Sequence, residues 1–500
     1  MPEDALDPAR AGRPGEGQEA RLRKGAVGLG GAVIMSAALM GPAVSVYFNP
    51  QLVAGFAGAA MPLVMAVSLV ASLIVANGVA AMARELPSAG AFYTYVSRGI
   101  GARSGFVTGI LMFLAYALLV PAELALIGIY THDILNGYGV SLPWPVISLA
   151  FAALMLVLSW GGISGSLKTA LTLFSIEVGV ILLLSLVILA KGGAHGLTAA
   201  PLMPSSSSNG LSGIALGMVF GVLSFVGFES AATLGEEVRD PRRHVPRGIF
   251  GAVLLVGAIY LFTTYAEMVG FGVNGVGALT KDTAPFTTLA AQYAPWLKLL
   301  VGLAGISSIF AVTMNSHNGI ARILFAMGRE HMLPPVLAKV HPTHGTPSAA
   351  IIANTAFAVV VTLGVGAWVG PFNAYAYLGS LLTLAIIPVY ILTNAACIRF
   401  FSTHARDRRS VVQHVALPVL GMLVMLIPIY GLIWPVPAAP YNVFPYVVVL
   451  AIVASGLIAW MIGKRRPEAL TRAGAVLAAG EVDDTESARR DGEPDAPQYA

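Results

Sequence analysis

The stretch SFVGFESAATLGEEVRDPRRHVPRG, Ser224 to Gly248, decides how this chain is read. It continues an apolar run, sets Gly227-Phe228 and a carboxylate, Glu229, inside it, and leaves through Glu236 and Glu237 into a cluster of arginines. An ionisable group at the centre of a membrane helix costs roughly 2.5–3.5 kcal/mol even on lenient insertion scales. A helix built only to cross lipid has no use for it. A helix interrupted to hold something does.

The rest of the chain supplies the frame. Of its 500 residues 56% are hydrophobic and 11% charged, with a mean hydropathy of +0.77. Apolar stretches of about 20 residues recur, the length that crosses a hydrocarbon core of roughly 30 Å. The pattern predicts an all-α polytopic membrane protein with twelve spans near 26–48, 52–82, 104–132, 143–160, 167–190, 212–235, 248–272, 286–321, 348–369, 374–398, 412–433 and 442–463. With the N-terminus inside, all 29 Lys and Arg fall on the cytoplasmic side except Lys191, Lys281 and Lys298. That asymmetry predicts a multi-pass protein of the cytoplasmic membrane with both termini cytoplasmic. The basic balance, pI about 9.1, is then a topology signal and not a nucleic-acid footprint. Residues 1–25 read as a disordered cytoplasmic arm, 26–400 as a core of ten helices, 401–464 as two further helices and 465–500 as a disordered tail. The single cysteine, Cys397, lies in an apolar segment and has no internal partner.

Within the spans stand four acids, Glu123, Glu177, Glu229 and Glu267, and no basic residue away from the ends. Each is expected to face a polar interior, carry a proton or meet a cation. Glu177 and Glu267 read equally well as protonated packing residues. Two spans also carry backbone breakers: Gly41-Pro42 in MSAALMGPAVSVYF, Met35–Phe48, and Gly221 and Gly227 in the sixth span. Proline removes a helix hydrogen bond, and unwound backbone at membrane depth survives only where it lines a cavity or is buried in protein. Breaks in corresponding spans of two halves point to a secondary-transporter site. Spans one and six correspond in a 5+5 inverted repeat followed by two C-terminal helices.

On these residues the chain resembles the amino acid-polyamine-organocation (APC) transporter superfamily over most of 26–400. SFVGFES followed by EEVRDPRRHVPRGI is similar to the family's sixth-span signature and its cytoplasmic exit. ARELPSAGAFYTYVSRGIG, Ala83–Gly101, resembles its loop after the second span, and NGIARILFAMGREHMLPPVLAKVHPTHGTPSAA, Asn318–Ala350, the exit of its eighth. The resemblance implies a LeuT-like fold with helices 1 and 6 discontinuous, alternating access, and a substrate site between spans 1, 3, 6, 8 and 10. Carried onto this chain, that site comprises Met40, Gly41, Pro42, Ala43, Tyr116, Phe225, Gly227, Phe228 and Tyr375. Two features depart from the family. Many members open the first-span turn with a glycine-rich run whose amides bind a carboxylate, whereas here Pro42 deletes one donor and Ala43 narrows the approach. Some proton-dependent members carry a lysine midway along span five, where this chain has only small or apolar residues around Gly179–Ile181, with Glu177 nearby.

The proton-coupling candidates are Glu229, Glu123 and Glu177. Ser307 and Ser308 are candidate sodium ligands, with Thr313 and Asn315 on the same span, although Ser and Thr equally serve as interhelical glue. Among the aromatics, Phe225 and Phe228 flank the break and favour contact with an amine, while Tyr116, Tyr375 and Tyr377 read also as packing. The pair in HPTH, His341 and His344, has no third ligand nearby, so no metal or cofactor is expected. No G-x-S-x-G or H-E-x-x-H is present, which argues against an enzyme. The reading is a permease for a small amino acid or amine, coupled to H+ or working by exchange. A polyamine or other organic-cation permease, and a non-transporting sensor on the same scaffold, remain alternatives.

Overall fold

A computed structural model describes residues 28–87, 90–162, 167–233, 238–329 and 333–465. Its regular elements are all helical, as they must be where no water satisfies backbone amides. In chain order they are α1 (Leu29–Leu39), α2 (Pro42–Tyr47), α3 (Asn49–Ala57), α4 (Met61–Glu85), α5 (Ala91–Gly99), α6 (Ala102–Asn136), α7 (Trp144–Trp160), α8 (Leu167–Ala190) and α9 (Gly210–Leu223). There follow α10 (Ser230–Thr233), α11 (Pro241–Phe271), α12 (Val276–Leu279), α13 (Pro285–Tyr293), α14 (Lys298–Arg329), α15 (Ser348–Val369), α16 (Pro371–Thr403), α17 (Leu417–Gly431) and α18 (Phe444–Arg465). Among the described residues nine helical stretches are long and apolar enough to cross a membrane, and α1, α7 and α9 are shorter apolar helices.

Several expected boundaries move, three of them at prolines. The first span does not end at Phe48 but continues as α3 to Ala57, because Pro50 falls in the first turn of α3, where a missing amide costs nothing. The second span therefore starts at Met61 rather than near 52. The expected 286–321 span is two helices, since Ala294 before Pro295 leaves the helical conformation (φ −148°, ψ 71°) and ends α13 before α14 begins at Lys298. Glu236 and Glu237, and both terminal segments, lie outside the described residues.

The centre of the bundle is α16 against α6, α11 against α4, and α14 against α6, with the broken helices enclosed between them. Of the most apolar window of α16, 67% is buried, against 17% for α18, which separates centre from periphery. The outer helices show Val157, Val360, Trp368, Leu423 and Leu450 on their exposed faces, as a hydrocarbon-facing surface requires. Cys397 is buried and unpaired. Lys191 donates to the Tyr293 carbonyl at 2.7 Å and Lys298 lies over the Tyr138 ring at 5.4 Å, at one end of the bundle. Arg408 pairs with Glu85 at 2.8 Å at the other.

Candidate functional site

The first break follows from two residues. Gly41 takes a left-handed conformation (φ 55°), and an added Cβ would lie 2.6 Å from the Val312 side chain, so only glycine turns the chain there. Pro42 then opens α2 at a position whose amide would be unsatisfied anyway. The carbonyl of Met40, released by the break, accepts from Ser45 Oγ at 2.9 Å and from the Tyr260 hydroxyl at 3.1 Å. The amide of Ala43 donates to Glu177 Oε1 on α8, and Ser308 Oγ on α14 donates to the same oxygen at 2.7 Å. One carboxylate thus ties α2, α8 and α14 together. Ser307, its neighbour, is half-buried.

The second break lies between α9 and α10. Gly227 (φ 108°) passes so close to α1 that an added Cβ would sit 3.1 Å from the Leu39 carbonyl oxygen. Glu229 folds back over this turn. Its Oε2 accepts from the Gly227 amide at 3.1 Å and the Tyr390 hydroxyl at 3.4 Å, and its Oε1 from the Tyr116 hydroxyl at 2.7 Å. Three elements, α6, α16 and the break itself, converge on one acid.

The two breaks are laced to each other. Ser36 Oγ on α1 donates to the Phe228 carbonyl at 3.3 Å and accepts from the Ala231 amide at 2.8 Å. Asn49 Nδ2 on α3 donates to Ser224 Oγ at 2.8 Å, and the Tyr375 hydroxyl on α16 donates to Asn49 Oδ1 at 2.7 Å. Because discontinuous backbone is affordable only where its polar groups find partners, these contacts are what permit both breaks at this depth.

A small cavity of about 30 Å³ lies where the breaks meet α6, α14 and α16. Ser45, Asn49, Tyr116, Glu123, Ser316 and Tyr375 supply its polar wall, and Met40 and Val44 part of the apolar one. It has room for one or two water molecules and for nothing larger as the helices stand. Glu123 Oε2 is buried without a hydrogen-bond partner.

The residues singled out in the sequence separate into groups here. Met40, Tyr116, Tyr375 and Glu123 border the cavity. Gly41, Pro42, Ala43 and Gly227 shape the breaks beside it. Phe225 packs edge-on to Tyr260 and Phe228 against Tyr390, both buried. Glu177 and Glu229 cap the breaks, and Glu267 on α11 is buried with neither oxygen hydrogen-bonded. Tyr377 packs with Tyr441 and Phe444, and the His341 and His344 rings stack at 4.7 Å. Sequence reasoning passed over Ser36, Ser45, Asn49, Tyr260, Ser316 and Tyr390. The signal for Asn49 was a polar amide beside Pro50 at the end of an apolar run; Tyr260 and Tyr390 carry none, since a tyrosine in a bundle is ordinarily packing.

Known proteins align with this chain over most of its length. The low-affinity putrescine importer of Escherichia coli (strain K12) is 25% identical over 410 residues, 80% of this chain and 86% of that protein. The serine/threonine exchanger of Bacillus subtilis (strain 168) is 26% identical over 329 residues, 64% of this chain and 72% of that one. The branched-chain amino acid permease of the same organism is 25% identical over 321 residues, 59% and 65%. Among solved structures, an Eremococcus coleocola manganese transporter, in complex with an aromatic bis-isothiourea substituted compound, superposes with a TM-score of 0.54 at 14% identity. That match covers 87% of this chain and 95% of the other, and at this identity it is a likeness of fold. The family model described as amino acid permease matches residues 32–468. With a chain of membrane-spanning helices matched over that length, this protein belongs to the amino acid permease family, a family of transport proteins rather than enzymes.

Proposed function

We propose that this permease carries a small amino acid or amine across the cytoplasmic membrane by alternating access, through the site between the two helix breaks. The observation that carries the reading is the small cavity at the junction of α1, α2, α6, α9, α14 and α16, bordered by both interrupted segments. A site that must open to one side at a time needs elements that hinge, and the breaks at Gly41 and Gly227 are where this bundle hinges without unwinding a continuous helix. The relatives include a putrescine importer and permeases or exchangers of amino acids, which supports a substrate of that size carrying an amino group.

In the same reading the nine long and three shorter apolar helical stretches form twelve spans, two inverted repeats of five within residues 26–400 and two helices after them, with both termini cytoplasmic. Transport is coupled to H+ or to exchange. Glu229 is the proton carrier: its three donors serve a carboxylate while the site is closed, and when α6 or α16 swings away the loss of Tyr116 or Tyr390 leaves a buried charge that takes a proton. Purified protein in liposomes tests the function. Uptake of a labelled amino acid or amine above empty vesicles is the expected result, accelerated by an inward pH gradient or by internal substrate. Binding without uptake would establish the sensor reading in its place.

A further inference from the structure

We propose that the transported molecule is an amine without an α-carboxylate, held through its ammonium group by Glu123. The proposal rests on the reading of this cavity as the substrate site and narrows it to one chemical class. It follows from which polar groups around the cavity are already committed.

The side-chain donor groups on the wall are engaged. Ser45 Oγ donates to the Met40 carbonyl, Asn49 Nδ2 to Ser224 Oγ, the Tyr116 hydroxyl to Glu229 and the Tyr375 hydroxyl to Asn49. Only the Ser316 hydroxyl lacks a partner. The breaks add little for an anion, because the Ala43 amide is taken by Glu177 and the Gly227 amide by Glu229. No Lys, Arg or His borders the cavity. A substrate carboxylate would therefore meet no cation and few free donors, beside three acids of this chain.

The acceptor side is the reverse. Glu123, 2% exposed, borders the cavity with Oε2 unpartnered. A buried acid without a partner is costly, and an ammonium group brings the opposite charge together with three hydrogens. Tyr116 and Tyr375 on the same wall are residues of the aromatic class that attracts cations. Glu177 and Glu229 occupy the places where the helix ends would otherwise attract a carboxylate, so the chain supplies internally the anions that a zwitterionic substrate would have to bring.

The test uses matched pairs that differ only in the α-carboxylate: ornithine with 1,4-diaminobutane, leucine with 3-methylbutylamine, and serine with ethanolamine. Each member competes for uptake and is assayed for thermal stabilisation of the full-length protein. In the active pair the amine is expected to be taken up and to stabilise, and its amino acid to do neither. Uptake of an amino acid with exclusion of its amine overturns this proposal and leaves the transport function standing, whereas uptake of neither member of any pair overturns both. Glu123→Gln, shown folded by its melting temperature and elution profile, should weaken amine binding about tenfold or more, the effect of losing a charge-assisted hydrogen bond. Glu123→Asp, which keeps the charge, should restore part of it. Unchanged amine affinity in Glu123→Gln would remove Glu123 from the site.

Discussion

Glu229→Gln is the perturbation that separates a capping acid from a proton carrier. The carboxylate accepts three hydrogen bonds, from the Tyr116 hydroxyl at 2.7 Å, the Gly227 amide at 3.1 Å and the Tyr390 hydroxyl at 3.4 Å. Glutamine has the same shape but presents one oxygen and one amide. If its oxygen faces Gly227 and Tyr390, its amide faces Tyr116, whose hydroxyl must reverse and give up its own donation. If it turns the other way, the amide meets the Gly227 N–H, which cannot reverse at all. A hydrogen bond to a charged acceptor contributes about 1.5–3 kcal/mol and one to a neutral acceptor about 0.5–1.5 kcal/mol, so each bond loses about 1 kcal/mol. With the long Tyr390 contact discounted, the closed arrangement is weakened by about 2–3 kcal/mol relative to one in which these donors have moved away. That corresponds to a shift of about 30- to 150-fold in population.

Two measurements on reconstituted protein follow from this magnitude. Uptake driven by a pH gradient should collapse, because the variant has no group to load and release a proton at this position. Substrate binding should stay within about tenfold, or about 1.4 kcal/mol, because Glu229 reaches the cavity only through Tyr116. Wild-type uptake under a pH gradient would refute the proton role and leave Glu229 a cap on the break. Loss of binding by much more than tenfold would refute the view that it acts from behind the wall.

Three further outcomes test the fold around it. Gly41→Ala forces a Cβ to within 2.6 Å of Val312 at a φ of 55°, so a loss of about 1–3 kcal/mol or more is expected and a wild-type melting temperature would contradict the local geometry. Ser308→Ala removes a donor to Glu177 and should destabilise by about 1.5–3 kcal/mol in chemical denaturation, with an additional effect in Glu177→Gln that is less than additive because the two share one contact. A reporter fused after Pro204 should be external and one after Arg408 cytoplasmic; reversal at either site would remove the inverted-repeat topology.

How much of this was legible depends on the range over which each feature is encoded. Helix type and most span limits are local properties, and hydropathy carries them; three of the limits that moved did so at Pro50 and Pro295, where the meaning of a proline depends on whether it sits at a helix start or after its end. The breaks were readable because glycine and proline act on their own backbone. That Glu229 caps its own break was half-readable, since its partner Gly227 is two residues away, whereas its partners Tyr116 and Tyr390 are 113 and 161 residues away. Glu177 shows the limit more sharply. In the sequence it was an acid near apolar residues, equally readable as packing, because its partners Ala43 and Ser308 are 134 and 131 residues distant and nothing local to α8 says which of its faces meets a broken helix. The substrate class is less legible still. It does not reside in any residue's identity but in which donors remain after folding has spent the others, so four intramembrane acids could suggest a cation only in aggregate. Once Glu177 and Glu229 are seen capping backbone amides, and Glu267 is seen to stand outside the cavity wall, the suggestion narrows to Glu123, and a charge count becomes a claim about one carboxylate.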